Sequence, residues 1–414
     1  MQDQLRAIRE SLDKHDVKKA EILIARLLRR EITSEQRAQL LIQRARTRLL
    51  NARPEDAIDD LQEARATSPV FETPSTLELL GDCYFARFEF ATVGFADRSD
   101  TTQAENAYRK LMSQFPSYDN LGWVYYQLGR VLTTQMRVEE SNVYFQQALL
   151  SPSHVSPLTA FCYERLGYIA FYELRDSTKA LAFLNKAIDT YPITENRMWL
   201  VQVHLLRCRV LREVRNYDLA FKAADAAIKI ALESGPESRS GLAEALLTAG
   251  ELLSDIGGRE KEVIAYLQQF LQVTKHPLGV DVTWARVYEM LGDAYFRLGQ
   301  YDAAGTAYQS VLQYNPDYPW EVSLYYRMAR AFYQQQAFEK TIEAIDRMLR
   351  AAEAEGQSIN DYRVYDVLGN AQFALKRYDK AADAYQMALR IAPPNAEELD
   401  KIKMYCQFAQ ELAL

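Results

Sequence analysis

The sequence predicts an all-α fold, an α-solenoid of about ten helix hairpins closed by a C-terminal capping helix. Three observations predict it. The chain has only 16 Gly and 13 Pro in 414 residues, low for a loop-rich all-β fold. A Leu-Gly pair recurs at Leu80-Gly81, Leu128-Gly129, Leu166-Gly167, Leu291-Gly292 and Leu368-Gly369. Around each pair, apolar residues fall three and four apart, the spacing of one buried helical face.

In chain order the predicted units span 1–34, 38–71, 74–118, 122–155, 160–193, 201–234, 242–278, 285–318, 322–355 and 362–395, with 396–414 as the cap. The first unit places Leu5, Ile8, Leu12, Ala20, Ile24 and Leu27 on apolar faces without a Leu-Gly pair. The second has Leu41, Ala45, Leu49, Ala57, Leu61 and Ala64, and closes at Pro69. The third carries about eleven extra residues between its helices, within Phe88 to Gln103. The sixth holds Cys208, Leu211, Tyr217, Ala220, Ala224 and Ala227; the seventh fits only with a shifted turn. Units six and nine lack a closing Pro, so their second helices are expected to run on through Ile228–Ala231 and Leu349–Ala352. After the tenth unit, Leu399, Ile402, Tyr405, Phe408 and Leu412 give one more amphipathic helix, which a stack needs to cover its last apolar face. No Gly/Ser/Pro-rich linker divides the chain. One solenoid is therefore expected, where length alone would suggest two or three globular domains.

The eighth unit is the clearest copy: Leu291-Gly292-Asp293-Ala294-Tyr295, then Gly299, Tyr301, Ala304, Tyr308 and Pro316. The tenth reads Leu368-Gly369, Phe373, Tyr378, Ala381, Tyr385, Ala388 and Pro393. This pattern resembles the tetratricopeptide repeat (TPR), with its W-x2-L-G-x2-Y, A-x3-F and closing P. Gly and the small Ala positions let the two helices approach, and Pro ends the second helix because it lacks an N–H. The resemblance implies a right-handed superhelix whose first helices line a concave groove. The units average about 40 residues, longer than the 34 of the family.

Composition and motifs exclude most chemistry. The formal charge of −7 offers no basic field for a phosphate backbone, so nucleic acid is not an expected partner. Cys83, Cys162, Cys208 and Cys406 have neither zinc spacing nor a disulfide pattern, and read as small apolar fillers in a reducing compartment. The first residues, MQDQLRAIRESLDKHD, mix charges and give no leader; no run approaches 18 apolar residues, so no membrane insertion is expected and the location predicted is cytoplasmic. His15, His154, His204 and His276 are scattered, and there is no H-E-x-x-H, phosphate-binding glycine loop or G-x-S-x-G. No metal or cofactor is predicted, and the chain reads as a binding protein and not an enzyme.

Carrying the family's inward positions onto this sequence gives a stripe along each first helix, spaced by four and three. From it the expected partner-binding residues are Phe85; Tyr126 and Arg130; Tyr168 and Phe171; Arg209 and Arg212; Glu289, Asp293 and Phe296; Tyr326, Arg330 and Tyr333; and Asn370 and Phe373. Aromatics give contact area at little entropic cost. Charges alternate along the stripe, a pattern that would fix the register of a peptide. The family's two-carboxylate clamp for chaperone C-termini needs Lys and Asn there, and only Asn370 is of that type. Phe88, Phe90 and Phe95 are expected on an inserted loop as a secondary contact; the alternative is that they extend the first helix and pack on a neighbouring hairpin. The function predicted is a scaffold or adaptor that holds a peptide segment or partner subunit. The alternative is a regulator that changes superhelical pitch on binding a peptide or small effector. A homo-oligomer is compatible with either.

Overall fold

The computed structural model describes the chain except residues 1, 15, 69–70, 92–96, 152–156, 193–196 and 397. It divides into two compact units, Met1–Glu195 and Asn196–Leu414. The described residues form α-helices joined by short turns, with no strand among them.

The first unit contains α1 (Gln2–Asp13), α2 (Val17–Leu28), α3 (Ser34–Leu50), α4 (Pro54–Thr67), α5 (Pro74–Phe90), α6 (Arg98–Gln114), α7 (Leu121–Thr134), α8 (Val138–Leu150), α9 (Leu158–Tyr172) and α10 (Ser177–Thr190). The second contains α11 (Met198–Glu213), α12 (Tyr217–Glu233), α13 (Arg239–Ile256), α14 (Glu260–Val273), α15 (Val282–Arg297), α16 (Tyr301–Tyr314), α17 (Glu321–Gln334), α18 (Phe338–Ala354), α19 (Tyr362–Ala374), α20 (Tyr378–Ile391) and α21 (Leu399–Ala413). In each unit odd and even helices pair as hairpins, and each hairpin packs on the next. α12 and α18 run 17 residues, against 13 or 14 for α8, α10, α14, α16 and α20, as the missing prolines predict.

The Leu-Gly glycine is required by a ring or a leucine opposite it. A Cβ on Gly81 would fall 2.5 Å from the Tyr108 ring, one on Gly129 2.7 Å from Phe145, and one on Gly369 2.5 Å from Tyr385. Gly292 meets Tyr308 in the same way. In the seventh hairpin Gly250 takes this place against Leu267, and in the fifth Gly167 lies against Leu184. Tyr108, Tyr308 and Tyr385 are buried, so one missing methyl lets a whole ring fill the hairpin.

The turn inside most hairpins has one residue in the left-handed region: Ala52, Met136, Arg175, Arg215, Gln336 and Lys376, with Gly299 in the eighth. The following N–H then reaches back five residues to a helix carbonyl, as in Arg137 to Leu132, Gln300 to Tyr295 and Ala337 to Phe332, each 2.9 Å. This closes the first helix and aims the chain into the second.

The insertion in the third hairpin decides between the two expectations, against the loop and for a longer first helix. Phe88 and Phe90 lie on the last turn of α5, not on a loop, and Phe95 lies outside the described residues. The extra residues lengthen both helices to 17 residues. Asp97 starts α6 by accepting from the Ser99 N–H at 2.8 Å, and Arg87 on α5 binds the buried Asp100 on α6. Phe88 packs on the core around Tyr108 and Leu128, while Phe90 is exposed.

α21 covers the end of the second unit. Ile402, Cys406 and Ala409 bury against Ala381, Ala382, Tyr385 and Ala388 of α20. All four cysteines are free and buried. No described helix is long and apolar enough to cross a membrane.

Candidate functional site

In the first unit, Phe85, Tyr126 and Arg130 come together. The Arg130 guanidinium lies 4.9 Å from the Phe85 ring centre and 5.9 Å from that of Tyr126. It is held there by Gln127 Oε1 at 2.9 Å and by the Glu89 carboxylate. Tyr126 also meets Trp123 edge-on, and burial pushes its phenol up to about 12. Tyr168 and Phe171 form a separate group around Tyr172, with ring centres 4.6 and 4.8 Å from it. Phe85 and Phe171 are buried, at 3% and 8% exposure, so they brace their neighbours and offer a partner little surface.

In the second unit, Arg209 pairs with Glu244 at 2.9 Å. Arg212 faces Glu251 at 3.7 Å and binds Asp255. Glu289 accepts from the Tyr318 hydroxyl at 2.6 Å and Asp293 from that of Tyr308 at 2.7 Å. Arg327 bridges both carboxylates at 2.9 and 3.0 Å. Arg330 lies 4.9 Å from the Phe296 ring centre and 5.9 Å from that of Tyr326. Asn370 accepts from the Tyr385 hydroxyl at 3.0 Å. Phe373 meets Tyr378 and Tyr405 edge-on, the latter from α21. Tyr333 is half-buried beside Phe338, and burial raises its phenol pKa.

Two of these clusters are copies. Glu78, Gly81, Asp82, Tyr84 and Phe85 match Glu289, Gly292, Asp293, Tyr295 and Phe296; Tyr108, Pro116, Tyr118, Tyr126 and Arg130 match Tyr308, Pro316, Tyr318, Tyr326 and Arg330. The contacts repeat as well. Tyr118 donates to Glu78 at 2.7 Å and Tyr108 to Asp82 at 2.6 Å. The copies differ where Arg327 stands in one and Gln127 in the other. Gln127 reaches Asp82 at 3.4 Å without adding a charge. Burial, aided by the Glu78 charge, pushes the Asp82 carboxyl up to about 6 against the pull of the Tyr108 hydrogen bond. Sequence reasoning missed Tyr118, Tyr318 and Arg327. The shared P-x-Y at Pro116–Tyr118 and Pro316–Tyr318 was the signal that could have found the two tyrosines.

Much of the alternating charge is thus spent within the fold, and aromatic faces with an arginine over them recur. Among the described residues, no group of three His, Cys, Asp or Glu side chains is placed to hold a metal ion.

Comparison with known proteins bears on this geometry. Residues 292–336 match a family model described as TPR repeat, and residues 362–395 one described as tetratricopeptide repeat. The chain carries tetratricopeptide repeats. No curated protein sequence matches it. Solved structures share the fold at low identity. The apo form of RapI superposes with a TM-score of 0.56 at 16% identity, over 86% of this chain and 99% of that one. The apo quorum sensor NprR from B. thuringiensis gives 0.52 at 14% identity, over 75% and 85%. A STAND signal-transduction ATPase with a tetratricopeptide repeat sensor, from Pyrococcus horikoshii, gives 0.51 at 16%, over 91% of this chain and 56% of that one.

Proposed function

We propose that this chain is a non-catalytic, cytoplasmic interaction scaffold or adaptor. It binds a peptide segment or a partner subunit along the first-helix face of its TPR hairpins, as part of a multiprotein assembly. TPR repeats are protein-interaction modules, and the chemistry of this chain is that of a binding surface. The observation that carries the reading is the open face of the ninth hairpin. There Trp320 is 66% exposed and, with Val322 and Tyr326, lines a cavity of about 340 Å³. An exposed tryptophan beside a half-buried tyrosine is the kind of anchor that dominates binding interfaces.

The test is affinity capture with paired variants. Tyr126→Ala with Arg130→Glu, and Tyr326→Ala with Arg330→Glu, should each lose a partner that the parent retains, while circular dichroism shows that each variant keeps its helical fold at the temperature of the assay. A full set of partners retained by both variants contradicts the reading.

A second reading, a regulator responsive to a peptide or small effector, is favoured by the structural likeness to NprR, a quorum sensor, and to a chain with a TPR sensor. Small-angle scattering separates the two readings. A change in superhelical pitch on binding alters the radius of gyration, and a passive scaffold keeps it.

A further inference from the structure

The two copies of the aromatic–arginine cluster differ in one respect that points to a ligand. In the first unit α5 runs five residues beyond Phe85, and its last turn lays Glu89 on the Arg130 guanidinium. In the second unit α15 ends at Arg297, one residue beyond Phe296, and supplies no such carboxylate. Among the described residues Arg330 makes no ion pair or hydrogen bond, although its guanidinium keeps the same distances to its two rings. A cavity of about 330 Å³ opens at that place, lined by Asp293, Phe296, Arg297, Tyr308, Arg327 and Arg330. Three guanidiniums thus line it against one carboxylate. Asp293 is bound to Arg327 at 3.0 Å, and Arg297 has only a distant partner, Glu260 at 3.8 Å.

We infer that this cavity binds the carboxylate of an acidic side chain from a partner peptide, with Arg330 as its direct ligand. The first unit shows the bound arrangement, with the chain's own Glu89 in the partner's place. A guanidinium already held over two rings has little freedom left to lose on binding, and a charge-assisted bond to a carboxylate is about twice as strong as a neutral one. The extended α5 makes the first copy self-occupied and leaves the second open. This inference rests on the groove reading above and specifies the chemistry of one position in it.

The experiment records the arginine Nε–H signals in the ¹⁵N–¹H spectrum of the full chain. The chain is titrated with a capped tripeptide of glutamate between two tyrosines, with its glutamine counterpart, and with acetate. The glutamate peptide is expected to shift the Arg330 signal and to bind at least five-fold more tightly than the glutamine peptide or acetate. Arg330→Gln, an exposed substitution, should abolish the difference. Glu89→Ala should free Arg130, whose Nε–H then responds to the same peptide. Equal binding of the two peptides overturns the carboxylate assignment while leaving a groove that binds peptides. Acetate binding as tightly as the glutamate peptide overturns the peptide as its source. An Arg330 signal that does not move overturns the site, and an Arg130 signal that stays fixed in Glu89→Ala overturns Glu89 as its template.

Discussion

A glycine and a tyrosine make the recurring joint of this molecule. The ring of Tyr308 occupies the space a Cβ on Gly292 would need, and its hydroxyl ends on Asp293. Gly292→Ala should therefore cost about 2–3 kcal/mol in urea unfolding, as overpacking of a full core does. The hydroxyl's acceptor varies: Asp82, Asp293 and Asn370 hold the same place. Asp293 has Arg327 for compensation, Asn370 carries no charge, and Asp82 has only Gln127 beside it, with Arg130 further off. A carboxyl whose folded-state pKa lies above its unfolded value adds no penalty below that value, near 4. It costs stability as pH rises through about 6. Asp82→Asn should raise unfolding stability by about 1–2 kcal/mol at pH 7.5 and be near neutral at pH 4. A gain that is the same at both pH values would show that the charge is not its source.

The hairpin is set by its turn and by the covering of its ends. Gln336 takes the left-handed conformation that Gly299 takes in the preceding hairpin, and a side chain there is strained. Gln336→Gly is expected to add about 0.5–1 kcal/mol and Gly299→Ala to remove about 1 kcal/mol, both readable from denaturant midpoints. α21 should matter more. Ile402→Asp would put an uncompensated charge against Tyr385 and Ala388, and should lower the melting temperature of the second unit with loss of Tyr405 packing. Much of this level was legible in sequence. The Leu-Gly pairs stand out because no other residue fits opposite a ring or, at Gly167, a leucine, and the long α12 and α18 were visible as missing prolines. The turns were harder to read, because Ala52, Met136 and Gln336 carry no glycine mark for a left-handed residue. The insertion left two readings open in the sequence, a contact loop or a longer first helix, because the clasp that decides it, Arg87 to Asp100, joins residues thirteen apart. The candidate site was legible as residue types but not as pairings. Glu89 lies 41 positions from Arg130, and Arg327 lies 38 from Glu289, so only the packing of hairpins brings them together.

Each of the two units carries one copy of the aromatic–arginine cluster, built from the same residue types, with Phe85 45 positions from Arg130 and Phe296 34 from Arg330 because the third hairpin carries the insertion. One copy is closed by the chain's own glutamate and the other is open, so the two units differ in what they offer a partner. The central claim is that a partner lies along the first helices. Site-specific photocrosslinking in cells tests it most directly, with a benzophenone side chain placed at Tyr326 on a first helix or at Glu339 on the second helix of the same hairpin. A partner crosslinked from position 326 and not from 339, and lost with Arg330→Glu, is the predicted result. Crosslinks from 339 alone would contradict it.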